Sequence, residues 1–107
     1  MNERTVLVVA HGSRETSGNA ETAEFVARWR QMRPQWRIEL CFIEHAEILL
    51  DEGLDRAAEG AREVVVLPLI LNAAGHVKME LPEAIERARA RHPQVRFVAR
   101  RHLGMGA

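Results

Sequence analysis

The 107-residue chain has a single cysteine, Cys41, so no disulfide can form within it. That excludes a disulfide-stapled secreted scaffold and fits a reducing compartment. It has no charge excess of either sign, because 15 Lys and Arg balance 15 Asp and Glu. Bulk binding to nucleic acid or to a membrane surface needs a basic surplus, so neither is expected as a partner. No apolar run is long enough to span a bilayer. The first apolar run begins almost at the N-terminus with no targeting signal ahead of it, and a cytoplasmic protein is expected. Linkers and low-complexity stretches are missing too. One domain over residues 1–107 is therefore expected, able to bury roughly two-thirds of the surface its unfolded form exposes.

What the chain does have is short, strongly apolar runs. Val6–Ala10 and Glu63–Leu71 read as fully buried parallel strands. Arg37–Ile43 alternates Ile38, Leu40 and Phe42 with charged residues and reads as a strand, as does Val95–Ala99. Helices are expected between them. Ala20–Met32 gathers Phe25, Val26, Trp29 and Met32 on one side, with Ser17 or Asn19 as a cap. Glu47–Gly60 carries Leu50, Leu54, Ala57 and Ala61 on one stripe. Pro82–Arg91 has Pro82 in its first turn and Leu81, Ala84, Ile85 and Ala88 facing inward. Alternating strands and helices predict an α/β fold with a doubly wound parallel sheet of four strands; the flavodoxin-like order 2-1-3-4 is assumed for it. A faint repeat links Arg33-Pro34-Gln35-Trp36-Arg37 to His92-Pro93-Gln94-Val95-Arg96, as in two related βαβ units. After the fourth strand only Arg100–Ala107 remains, where such a domain normally adds a helix. The C-terminal helix is therefore expected to be absent or truncated, leaving an apolar face for a partner to cover.

Two histidines stand just beyond the two most apolar runs. His11 directly follows Val6–Ala10, and His76 follows Glu63–Leu71 through Asn72-Ala73-Ala74-Gly75. In open parallel sheets, ligands bind beyond the carboxyl ends of the strands, where the strand order reverses. In the order 2-1-3-4 the reversal falls between strands one and three, which lead to His11 and His76. Glu44 leaves strand two, on the other side of strand one. Two imidazoles and a carboxylate suit a borderline divalent ion such as iron, cobalt or nickel. They can equally move protons near neutral pH. A lone histidine at a strand end is ordinarily a hydrogen-bonded loop residue; spacing alone leaves these readings open. In His11-Gly12-Ser13-Arg14, Gly12 admits close approach of a ligand, and Ser13 and Arg14 offer donors to a carboxylate or phosphate. A plain tight turn is the competing reading. His45, His92 and His102 read as incidental, and Cys41 as a small buried hydrophobe. Arg87, Arg89, Arg91, Arg96, Arg100 and Arg101 read as a solvated face and tail, with a clamp for an acidic ligand as the alternative.

The motifs occur in an order that resembles a known family. Val9-Ala10-His11-Gly12-Ser13-Arg14 with Asn19, Phe42-Ile43-Glu44, Val66-Leu67-Pro68-Leu69-Ile70-Leu71, Ala74-Gly75-His76-Val77 and Leu81-Pro82 are similar to the small sirohydrochlorin chelatases of the CbiX/SirB type. The likeness runs from strand one to Leu103-Gly104. It implies a chelatase-like half-domain that inserts a divalent metal into sirohydrochlorin on the way to cobalamin or siroheme. The metal, Co2+, Fe2+ or Ni2+, is then a substrate, and no organic cofactor is expected. His11 and His76 match the family's histidines as catalytic groups and metal ligands, and Glu44 its acid as a third ligand. Ser13, Arg14, Lys78 and Glu80 are expected around the polycarboxylate substrate, and a homodimer is expected to form the cleft. The chain departs from the pattern at Ile48, where proline is common, and at Glu80, where aspartate is. A non-catalytic metal or tetrapyrrole carrier on the same fold is the alternative.

Overall fold

The computed structural model describes residues 4–10, 16–43, 49–69 and 75–100, with the backbone alone for 16–18, 69 and 75–80. Strands and helices alternate: β1 Arg4–Ala10, α1 Thr16–Met32, β2 Arg37–Phe42, α2 Leu50–Ala58, β3 Glu63–Leu69, α3 Gly75–Arg91 and β4 Arg96–Ala99. The four strands form one parallel sheet, as the sequence predicts, in the assumed order β2-β1-β3-β4. β1 lies inside it, and Thr5 through Ala10 are all buried. A strand covered on both faces has no solvated side, which is why Val6–Ala10 is a continuous apolar run.

Alternate side chains on each strand go to opposite faces. Leu7, Val9, Cys41, Val64, Val66 and Phe97 pack with α2 and α3 through Leu50, Leu54, Ala57, Ala84, Ile85 and Ala88. On the other face Val6, Val8, Ile38 and Leu67 meet Val26 of α1, with Trp29, Trp36 and Leu40 half-buried at the margin. The stripes expected on the second and third helices are the buried ones. The stripe expected on the first is only partly so, because Phe25 and Met32 are exposed.

α2 lies very close to β2. A Cβ placed on Gly53 would overlap Cβ and Sγ of Cys41, so glycine is required there for contact rather than for backbone freedom. At the far end of α2 the Arg37 guanidinium donates to the carbonyls of Glu59 and of Arg56, the latter at 2.6 Å, capping groups that a helix end leaves open. Gly60, at φ 69°, then makes the left-handed turn into β3. Thr5 is fully buried on the α2–α3 side, and its hydroxyl finds no hydrogen-bond partner among the described residues.

The faint sequence repeat has a structural counterpart. Trp36 N–H donates to Arg33 O at 2.9 Å, and Val95 N–H donates to His92 O at 3.0 Å. Both are four-residue turns with proline second, the position whose φ proline presets. Each carries a helix directly into a strand at an edge of the sheet.

Several boundaries differ from the sequence-based expectation. α1 begins at Thr16, so Ser17 and Asn19 lie within it rather than at its cap. β4 begins at Arg96. The largest difference is α3, which starts at Gly75, seven residues before Pro82, and carries that proline inside. Pro82 has no N–H for the Lys78 carbonyl, at a cost of about 3 kcal/mol in a helix interior. Burial of Ala84, Ile85 and Ala88 beyond it offsets the loss. Residues 101–107, on which the expectation about a C-terminal helix falls, lie outside the described residues.

Candidate functional site

The carboxyl ends of β1, β2 and β3 are level. Ala10 pairs with Phe42 on one side and with Leu69 on the other. Ile43 N–H donates to the Ala10 carbonyl at 2.9 Å, carrying the β2 alignment one residue further. Neighbouring strands lie about 4.8 Å apart, so the three exits fall within about 10 Å along one edge. The strand order reverses between β1 and β3, the switch point at which doubly wound sheets bind ligands.

His11 follows Ala10 in the chain and Glu44 follows Ile43; these two, with Ser13 and Arg14, lie outside the described residues. The backbone of His76, Lys78 and Glu80 lies in the first turns of α3, after the β3 exit. His76 and Glu80 are four residues apart and share one side of the helix, while Lys78 falls on another. Sequence reading placed His76 in a link before the helix; it is the second residue of α3 itself. Among the described residues, no three His, Cys, Asp or Glu side chains cluster to hold a metal.

Beside this edge a cleft of about 370 Å3 opens between the start of α2 and the middle of α3. Ile43, Leu49 and Leu50 form its apolar wall, and Asp51, Glu52, Glu83 and Arg87 its polar one. The Arg87 guanidinium holds both Asp51 carboxylate oxygens at 3.2 to 3.3 Å. Leu49 is bridged to Phe42 at the end of β2 and precedes α2 with no side-chain cap. Its side chain is 43% exposed, unusual for a leucine so near the sheet. Hydrophobic periodicity does not reveal it, because Leu50 beside it carries the buried stripe.

Other candidates resolve as structural. Burial pushes the Cys41 thiol up to about 12, so it stays protonated and is no nucleophile. Arg87, Arg89 and Arg91 pair with Asp51, Glu86 and Asp55, which supports a solvated, ion-paired face over a clamp. The His92 ring nitrogen Nε2 lies 2.8 Å from Asp55 Oδ1, tying the end of α3 to α2. Burial acts to raise the Asp55 pKa, but hydrogen bonds from His92 and Arg91 and the charge on Arg91 outweigh it and hold the carboxyl below its ordinary range.

The topology and the level strand exits define a doubly wound α/β protein, a class that binds ligands at the carboxyl edge of the sheet. The pattern of the CbiX family matches residues 5–107, and the chain belongs to that family. It is 38% identical over 95% of its length to the sirohydrochlorin cobaltochelatase of Priestia megaterium, covering 33% of that protein. It is 35% identical over 84% of its length to a sirohydrochlorin ferrochelatase of the same organism, covering 34% of it. The solved sirohydrochlorin chelatase SirB from Bacillus subtilis subspecies spizizenii, in complex with cobalt, superposes with a TM-score of 0.81 at 32% identity. That match covers 92% of this chain and 42% of SirB. The chain thus spans about a third of the length of the curated relatives it matches.

Proposed function

We propose that this protein inserts a divalent metal into sirohydrochlorin. The observation that carries the reading is the level exit of β1 and β2 directly before His11 and Glu44, at the switch point, with His76 in the helix that follows β3. Insertion exchanges two pyrrole N–H protons for one metal ion. It needs a base at the ring nitrogens and a metal site that releases its ion. In this reading His11, His76 and Glu44 present the ion with coordination positions open, and the histidines take up the protons. Arg14 and Lys78 meet the carboxylate rim of the macrocycle, with Ser13 and Glu80 as further substrate-binding positions. Relatives named for cobalt and for iron are similarly close, so both metals are substrates to compare, and nickel accepts the same donor set. A homodimer acting in the cytoplasm completes the proposal.

The test is anaerobic absorption spectroscopy with protein, sirohydrochlorin and Co2+ or Fe2+. Multiple turnovers are expected. Stoichiometric binding without insertion would identify a carrier instead. His11→Ala and His76→Ala are each expected to abolish turnover while the far-ultraviolet circular dichroism is retained. Full rate in both variants would remove these residues from the site.

A further inference from the structure

We infer that Leu49 is a substrate-positioning residue, the exposed edge of an apolar wall against which the flat face of the macrocycle rests during metal insertion. The inference rests on the chelatase reading and adds to it the side of the site on which the ring lies. Leu49, Phe25 and Met32 are the large hydrophobic side chains left exposed among the described residues. Phe25 and Met32 belong to α1. Leu49 alone of the three stands at the carboxyl edge of the sheet, held there by its bridge to Phe42. With Ile43 and Leu50 it lines a cleft whose size falls in the range of ordinary ligand pockets.

The polar side of the cleft selects how such a ligand lies. Asp51 is neutralised by Arg87 and Glu52 by Arg56 at 3.0 Å, whereas Glu83 is an exposed carboxylate on the same cleft. Glu83 repels a polycarboxylate rim, and like-charge repulsion of this kind contributes to orientation alongside attraction. An uncharged ring face meets no such penalty against Ile43, Leu49 and Leu50. The apolar wall therefore takes the plane of the ring and leaves its acidic arms to the opposite side.

The experiment compares wild type, Leu49→Ala and Leu49→Met in steady-state cobalt insertion, with titration of metal-free sirohydrochlorin and thermal melting alongside. Losing part of a leucine's burial is expected to raise KM for the macrocycle about tenfold in Leu49→Ala, with kcat and KM for Co2+ within about twofold of wild type. Leu49→Met restores macrocycle KM, and the melting temperature stays put because the side chain is already half out. Macrocycle KM unchanged in Leu49→Ala, or an equal rise in KM for Co2+, overturns the inference. If the wild type itself does not turn over, the chelatase reading fails. The titration then decides for Leu49 alone: weaker macrocycle binding by Leu49→Ala supports the wall, and equal binding sinks it.

Discussion

The two faces of the sheet are built unequally. One is covered by α2 and α3 and shares a cluster of 16 buried residues, the other by α1 and a cluster of five among the described residues. On the crowded face small side chains, Ala57, Ala58, Ala84 and Ala88, let two helices approach closely, and Gly53 takes this to the limit. On the sparse face Val26 is the one α1 residue in the buried set among the described residues, with the two tryptophans half-covered. The difference teaches that, among the described residues, the larger share of the buried core lies on one side of the sheet.

The largest expected effect lies on the crowded face. Leu54→Ala, at a fully buried position between Gly53 and Ala57, is expected to lower stability by about 3 kcal/mol in urea denaturation. A sharper test uses two neighbours on one strand. Val9 and Val8 are both fully buried, and they face opposite clusters. Val9→Ala is expected to cost about 2 kcal/mol and Val8→Ala about 1 kcal/mol, since a sparsely packed face collapses more readily around a cavity. Equal costs would break the comparison. Thr5→Val replaces an unpartnered buried hydroxyl by a methyl of similar shape on the crowded face. It is expected to stabilise by up to about 1 kcal/mol, read as a rise in melting temperature.

The smallest effect is electrostatic. Asp55 has its pKa lowered in the folded protein, so its contribution is present above the unfolded value and is lost as pH falls through the folded one. Asp55 is nearly half exposed, which limits the contribution to on the order of 0.5 kcal/mol. Asp55→Asn is expected to flatten this part of the stability profile below about pH 4 and to lower stability slightly at neutral pH. An unchanged profile would show that the α2–α3 tie adds nothing.

The crowded face was legible in the sequence, because Leu50, Leu54 and Ala57, and Ala84, Ile85 and Ala88, recur at helical spacing beside strongly apolar strands. The sparse face was not. Phe25, Trp29 and Met32 form a ridge of their own at four- and three-residue offsets. The line that meets the sheet runs instead through Asn19, Thr22, Val26 and Trp29, the first two polar and half-buried. Hydrophobicity alone therefore pointed part of the stripe outward. The start of α3 was hidden for a different reason. Its first turn holds no acidic residue, and Pro82 carries the usual signature of a first turn while lying in the eighth position. The strands and the sequence neighbours of their exits were legible from apolar runs and from where they stop, whereas the strand order was an assumption by analogy with flavodoxin-like sheets, which the structure matches. The cleft was not, since Leu49 owes its exposure to the way β2 meets α2.

The contact between Gly53 and Cys41 sets a rule for how this sequence can change. The overlap involves the Cβ of residue 41 as well as its sulfur, so shortening Cys41 to alanine or serine makes no room for a side chain at 53. Only loss of the Cβ itself would, and glycine inside β2 weakens the strand. Substitutions at the two positions are thus coupled, each harmful alone in one direction and neither rescued by a conservative step in the other. A lineage that keeps this helix seated on this strand keeps the glycine, whatever happens to the thiol.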